Sequence, residues 1–201
     1  MKIGIVCARD VEARRIREAM KNLRQERKGG IDFLAGNWLG HSLTLAVSGV
    51  GKVNAAMAVQ TMILCYAPSI VVNTGVAGAI DPGLKPLDVV LGERVVQPDV
   101  DTTALGDPPG MVSGIDLVEI PCPAPSLAER LGKLEGEWKR GLIASGDQFV
   151  GDREKAEKIG SSFGALAVDM ESGSVGQVCY INSVECLLLR AISDGGDGME
   201  Y

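Results

Sequence analysis

A carboxylate closes each of two apolar runs in the second half of this chain. The first run is Ala165-Leu166-Ala167-Val168-Asp169-Met170-Glu171-Ser172-Gly173; the second, Arg190-Ala191-Ile192-Ser193-Asp194, begins nineteen residues after Glu171. The first places Met170 and Glu171 where a strand passes into a helix. In open α/β sheets, ligands bind in the crevice beyond the carboxyl ends of the strands. A methionine beside an acid there suits a ligand with one apolar face and one polyol edge, such as a nucleoside. Polar groups recur after other apolar runs: Glu12 after the first, Gly75-Val76-Ala77-Gly78 after Asn73-Thr74, and Ser145-Gly146-Asp147-Gln148-Phe149-Val150 after a third. Singly, each has an ordinary explanation: an acid in the first turn of a helix, a glycine turn, a buried aromatic. Their joint occurrence at successive strand ends points to a site.

Other motifs fail on their own chemistry. Gly49-Val50-Gly51 opens like a dinucleotide fingerprint, but Asn54 stands at the third glycine position and no acid lies between Lys52 and Asp81 to hold a ribose. Gly51-Lys52 is followed by Val53, and Ala46 occupies the upstream glycine position, so no P-loop forms. Gly160-Ser161-Ser162-Phe163-Gly164 matches the nucleophile-elbow pattern, yet a triad needs a downstream histidine and the only histidine is His41. His41 reads as a solvated turn residue. One histidine and no paired cysteines also argue against zinc.

The elements that must position the acids alternate along the chain. Residues 3–7 are a continuous apolar run, the pattern of a strand buried on both faces. A charged amphipathic helix is expected over 10–22, and a hairpin over 32–36 and 42–48 joined through 37–41. Residues 52–66 read as a helix, 69–73 and 88–96 as strands, and 107–125 as a loop-rich insertion. A short helix is expected from Ser126. Strands over 140–145, 165–168 and 184–193 alternate with helices over 152–159 and 171–180. Strands separated by helices predict βαβ units and a largely parallel sheet. With 201 residues and no linker composition, one domain over 1–201 is expected.

Composition excludes several classes. The net charge of −6 carries no nucleic-acid footprint, and the basic residues from Arg14 to Arg24 are interleaved with acids on one helix. Five scattered cysteines without a C-x-x-C pair read as reduced core thiols of a cytoplasmic protein. The first residues form a strand rather than a signal peptide, and no apolar stretch approaches a membrane span.

The chain resembles the methylthioadenosine/S-adenosylhomocysteine nucleosidases of the nucleoside phosphorylase superfamily. The resemblance runs through Met1-Lys2-Ile3-Gly4-Ile5 with Glu12, Ser48-Gly49-Val50-Gly51-Lys52-Val53-Asn54-Ala55-Ala56, Asn73-Thr74-Gly75-Val76-Ala77-Gly78 and Asp99-Val100-Asp101-Thr102-Thr103-Ala104. It continues through Ser145-Gly146-Asp147-Gln148-Phe149, Val168-Asp169-Met170-Glu171 and Arg190-Ala191-Ile192-Ser193-Asp194. It implies a three-layer α/β/α sandwich around a twisted mixed sheet, a homodimer, and no metal or organic cofactor. It also implies an N-glycosyl hydrolase that releases adenine from a 5'-substituted adenosine. Asp194 is then the general acid that protonates adenine N7, and Glu12 holds and deprotonates the attacking water. Glu171 takes the ribose 2'- and 3'-hydroxyls, because an ionised carboxylate is acceptor-only. Met170 lies against the sugar, Phe149 stacks on the purine, and the main chain of Val150 reads its edge. Arg190 and Ser193 orient the water and the acid. Separate carboxylates for acid and water follow the division of labour of inverting glycosidases.

Four positions depart from the family pattern. Val76 stands where a hydroxyl is frequent near the water, and Arg9 where methionine is frequent, so that a cation there could meet an anionic or polar 5' group. Leu105 replaces a frequent aromatic of the 5' pocket. The sequence ends at Tyr201, where the family continues into a further helix, and the expectation is that this helix is lacking. These departures keep two alternatives open: phosphate-dependent phosphorolysis or futalosine-type hydrolysis, and nucleoside binding without turnover.

Overall fold

Ile5 and Cys7 of the first strand, β1 (Lys2–Cys7), pack with Ala13 of helix α1 (Asp10–Ala19), whereas the intervening Val6 packs with Ala55, Ala58, Val59 and Met62 of helix α2 (Lys52–Tyr66). Side chains alternate across a strand, so an unbroken apolar run has helices to satisfy on both faces. Gly4 lets α2 lie close: a Cβ there would come within 2.3 Å of Met62 Sδ. Met62 is fully buried, and truncating such a side chain to alanine costs about 2–5 kcal/mol. The computed structural model describes residues 1–122 and 138–194, with Asp194 by its backbone alone. The helix expected from Ser126 and the chain beyond Asp194 lie outside the described residues.

The remaining strands are β2 (Lys21–Lys28), β3 (Ile31–Trp38), β4 (His41–Val47), β5 (Ile70–Ala79), β6 (Val89–Val96), β7 (Ile120–Pro121), β8 (Trp138–Ser145), β9 (Ala167–Asp169) and β10 (Glu185–Asp194). Helices α3 (Arg153–Phe163) and α4 (Ser172–Ile181) are the other α-helices among the described residues. Among the described residues, all strands belong to one mixed sheet. β5 pairs with β1 and β10 in parallel and with β9 antiparallel. β10 pairs with β6, β6 with β8, and β8 with β9, so β5, β10, β6, β8 and β9 close a ring. The strands β1, β4, β3 and β2 extend from β5 as an open wing. Helices α2 and α4 pack together on one face, over a cluster that includes Val71, Val90, Ile143 and Leu188. On the other face α1 covers Leu43 and Leu45, and α3 covers Val96, Leu142 and Ala144 through Ala156. This is the expected three-layer mixed α/β architecture.

Three elements differ from the sequence expectation. Helix α1 stops at Ala19, and residues 21–28 form the edge strand β2 instead of a last helical turn. Asn22 adopts a left-handed φ of 56° where the β2–β3 register shifts, a conformation no right-handed helix accommodates. Strand β2 is charged and mostly exposed, which blunts a sheet edge against further pairing; its polar composition hides it from periodicity. The β3–β4 connection is a two-residue turn, Leu39-Gly40, with φ of 48° and 79°, not a five-residue loop. His41 therefore begins a strand, partly buried, instead of lying in a solvated turn. Finally, residues 75–78 continue β5 as strand, because β9 and β10 pair with it beyond the end of β1.

Candidate active site

The strand ends surround one cleft. Ala8 and Arg9 follow β1, Val76 lies on the overhanging end of β5, Phe149 follows β8, and Met170 and Glu171 follow β9. Val150, Ser193 and Glu12 also line it, and the cleft encloses about 540 Å³, part of it open to solvent. Among the described residues no group of three or more histidine, cysteine or acidic side chains is arranged to hold a metal.

Glu12 enters from the first turn of α1. Its Oε2 accepts from the backbone N–H of Ala8 at 2.9 Å and of Arg9 at 3.0 Å, and its Oε1 from that of Val76 at 3.3 Å. A carboxylate has roughly four lone-pair positions, so the three amides fix Glu12 and leave acceptor capacity toward the cleft. Gly75 makes this possible. A Cβ there would sit 2.8 Å from Glu12 Oε1.

Glu171 occupies the position before the first turn of α4 and is only 7% exposed. Its Oε1 accepts from the backbone N–H of Gly51 at 2.9 Å. Burial, reinforced by the negative charge of Asp169, pushes its carboxyl up to about 7; the Gly51 N–H and the Arg190 guanidinium oppose that rise.

Asp169, at the end of β9, ties the site to the core. Its oxygens accept from the backbone N–H of Glu171 and Ser172, from the Ser172 hydroxyl, and from Arg190 Nε at 2.6 Å. Arg190 also donates to the Asn73 side chain and to the Leu189 carbonyl, and Asn73 Nδ2 donates to the Val6 carbonyl at 3.0 Å. One buried network thus joins β1, β5, β9, β10 and α4, and holds the backbone of Glu171.

The N-terminus of α2 supplies the last support. Gly51, at φ +100°, presents its N–H to Glu171, and the next N–H, of Lys52, donates to Asp147 Oδ1 at 2.7 Å. Orphan amides and the positive end of the helix dipole favour carboxylates at such a position. The Gly49-Val50-Gly51-Lys52 segment therefore serves protein carboxylates, not a phosphate.

A sequence model described as the Phosphorylase superfamily matches residues 2–200. The 5'-methylthioadenosine/S-adenosylhomocysteine nucleosidase of Tolumonas auensis is 36% identical over 203 residues, covering 96% of this chain and 86% of that protein. The chain belongs to the nucleosidase family of the phosphorylase superfamily. The crystal structure of an Asp-to-Asn mutant of the Helicobacter pylori nucleosidase, with 5'-methylthioadenosine in its active site, is 34% identical, with a TM-score of 0.92 over 99% of this chain and 87% of that one. The native futalosine hydrolase of Helicobacter pylori is also 34% identical, with a TM-score of 0.93 over 100% of this chain and 87% of that one.

Against the roles that membership in the nucleosidase family suggests, Glu12, Glu171, Met170, Phe149, Val150, Val76, Ser193 and Arg9 all line one cleft. Phe149 is 59% exposed at its rim, not the buried aromatic that composition alone suggests. Asp194 follows Ser193 and pairs through its backbone with Gly78, itself a cleft residue. Arg190 is the correction. Expected to contact substrate or water, it is 1% exposed and does not line the cleft, because its guanidinium is committed to Asp169, Asn73 and a carbonyl. Sequence reasoning missed Asp169, Asn73 and the Gly51 amide. Asp169 sits inside an apolar run, and that placement was the available signal: an acid buried in a strand has a partner.

Proposed function

We propose that this chain hydrolyses the N-glycosidic bond of 5'-methylthioadenosine, S-adenosylhomocysteine or a related 5'-substituted adenosine and releases adenine. One observation carries the reading: Glu12 and Glu171, 159 positions apart in sequence, line the same cleft together with Met170, in a member of the nucleosidase family. Bond cleavage builds positive charge on the ribose and negative charge on the departing base. Glu171 accepts the 2'- and 3'-hydroxyls and strengthens its hold as the ring becomes cationic. Glu12, fixed by three amides, orients the water and takes its proton. Asp194 gives a proton to adenine N7 so that a neutral base departs; the pairing of its backbone with Gly78 supports that placement. Phe149 stacks on the purine, the Val150 backbone reads its edge, and Ser193 orients the acid. Val76 contributes its amide, which holds Glu12. The reading needs no metal or organic cofactor.

The test is adenine release from methylthioadenosine, S-adenosylhomocysteine and 5'-deoxyadenosine, with and without phosphate. Equal rates without phosphate support hydrolysis; a phosphate requirement with sugar phosphate formed, or no turnover at all, defeats it. Futalosine belongs in the panel as a second reading, favoured by the likeness to the Helicobacter pylori futalosine hydrolase and by Arg9 in the cleft. Preferential cleavage of futalosine establishes that reading instead.

The protein also works, in this reading, as a cytoplasmic homodimer. Leu105 is 83% exposed, and Val53, Met57 and Leu64 expose an apolar stripe along α2, whereas Met111 is half-buried. Four of the five cysteines are buried and all are free thiols, as a reducing compartment allows. Among the described residues, no helix is long and apolar enough to cross a membrane.

A further inference from the structure

We infer that Asp147 is a positioning residue: by holding the first turn of α2 it aims the Gly51 N–H at Glu171, so that the ribose-binding acid and the Phe149 loop are set as one unit. The inference rests on the reading of Glu171 as the ribose acceptor. Its geometry is independent of that reading. Asp147 Oδ1 accepts from the Lys52 N–H at 2.7 Å, one residue from the amide that reaches Glu171 at 2.9 Å. Asp147 is itself tethered, because its backbone N–H donates to Asp99 Oδ2 at 2.9 Å while Lys52 Nζ holds Asp99 Oδ1 at 2.8 Å. The Lys52 and Asp99 side chains are 16% and 22% exposed, so this pair is partly shielded from water.

Two glycines show how closely the unit is fitted. A Cβ on Gly51 would stand 3.1 Å from Asp147 Oδ1, and one on Gly146 would stand 3.0 Å from the Asp99 carboxyl carbon. The tethered residue immediately precedes Gln148, Phe149 and Val150, all of which line the cleft. One carboxylate therefore links the segment that meets the base to the amide that meets the ribose acid.

Glu171 gives the readout. The groups that act on it are Asp169 from β9, Arg190 from β10, Glu12 from α1 and the Gly51 N–H from α2; of these, the Gly51 N–H and Arg190 favour its charged form. Releasing the α2 turn removes one of those two without touching any acid in the cleft. A residue that only stabilises the fold leaves the Glu171 titration where it was.

The experiment compares wild type with Asp147→Ala, Asp147→Asn and Lys52→Met. Carbon-13 carboxyl resonances are titrated, with Glu171 assigned by its loss in Glu171→Gln, and kcat and KM are measured for methylthioadenosine. Expected for Asp147→Ala is a roughly tenfold rise in the proton affinity of Glu171, with kcat/KM reduced about tenfold at pH 7, mainly through KM. Asp147→Asn keeps an oxygen acceptor and recovers most of both effects; Lys52→Met, which keeps its N–H but loses the tether, falls between. An unchanged Glu171 titration in folded Asp147→Ala and Lys52→Met overturns the inference. Wild-type protein that cleaves no nucleoside defeats the proposed function instead, while the titration still decides whether Asp147 acts on Glu171.

Discussion

Arg190 Nε donates to Asp169 Oδ2 at 2.6 Å, with both side chains 1% exposed. Asp169 lines the cleft while Arg190 does not, and Asp169 in turn holds the backbone of Glu171 and Ser172. A buried ion pair adds little net stability, since desolvation offsets attraction, but removing one partner strands a charge.

Arg190→Met is therefore expected to cost about 3–5 kcal/mol, lowering Tm by about 10 °C in a domain of this size. Arg190→Lys should not restore it, because three guanidinium nitrogens serve three separate acceptors. Calorimetric unfolding checks both; a lysine variant with wild-type Tm contradicts the geometry.

Glu171→Gln removes a carboxyl that burial pushes up to about 7. A folded-state pKa raised above the unfolded value contributes stability that is present below about 4.3 and lost as pH rises through about 7. The wild type therefore carries its full burden above pH 7. There the glutamine variant should be more stable, by on the order of 3 kcal/mol, with the gap closing toward pH 5. Nucleoside affinity should move the other way: it falls in the wild type as pH drops below about 7, and stays low and flat in the variant. Denaturant melts at pH 5 and 8.5, with calorimetric binding of an uncleavable methylthioadenosine analogue, test both signs.

Gly75→Ala is expected to leave the fold intact and still damage catalysis. The new methyl group would stand 2.8 Å from Glu12 Oε1, forcing the carboxylate off the Val76 amide. We expect kcat to fall about 100-fold, the range of a lost general base, with little change in KM. A variant with normal kcat removes Glu12 from the water-activating role.

Asp194→Asn is expected to abolish adenine release while methylthioadenosine binding persists, because the shape is kept and the proton donor lost. Single-turnover kinetics alongside equilibrium binding separate the two. Full activity in this variant would assign the general acid elsewhere.

Much of the architecture was legible because β1 reads as an unbroken apolar run and β5 and β10 open on apolar ones, Ile70-Val71-Val72 and Cys186-Leu187-Leu188-Leu189. β2 was not, since an exposed charged edge has no periodicity to detect; pairing with β3 and the left-handed Asn22 decide it. The site acids were legible one by one as strand-end polar groups. What joins them was not. Arg190 and Asn73 meet across 117 positions, and Gly51 and Glu171 across 120, and no local pattern encodes which strand ends become neighbours.

Closure of the β5–β10 seam also sets an order of events during synthesis. Residues 70–73 pair in parallel with β1 early, but residues 70–78 find their second parallel partner, β10, only when residues 185–194 have emerged from the ribosome. Until then β5 and β6 each lack a neighbour along that seam, and pairing of such high contact order is slow. Nascent chains of intermediate length are thus the form most exposed to aggregation, and chaperone demand should peak just before residues 185–194 emerge.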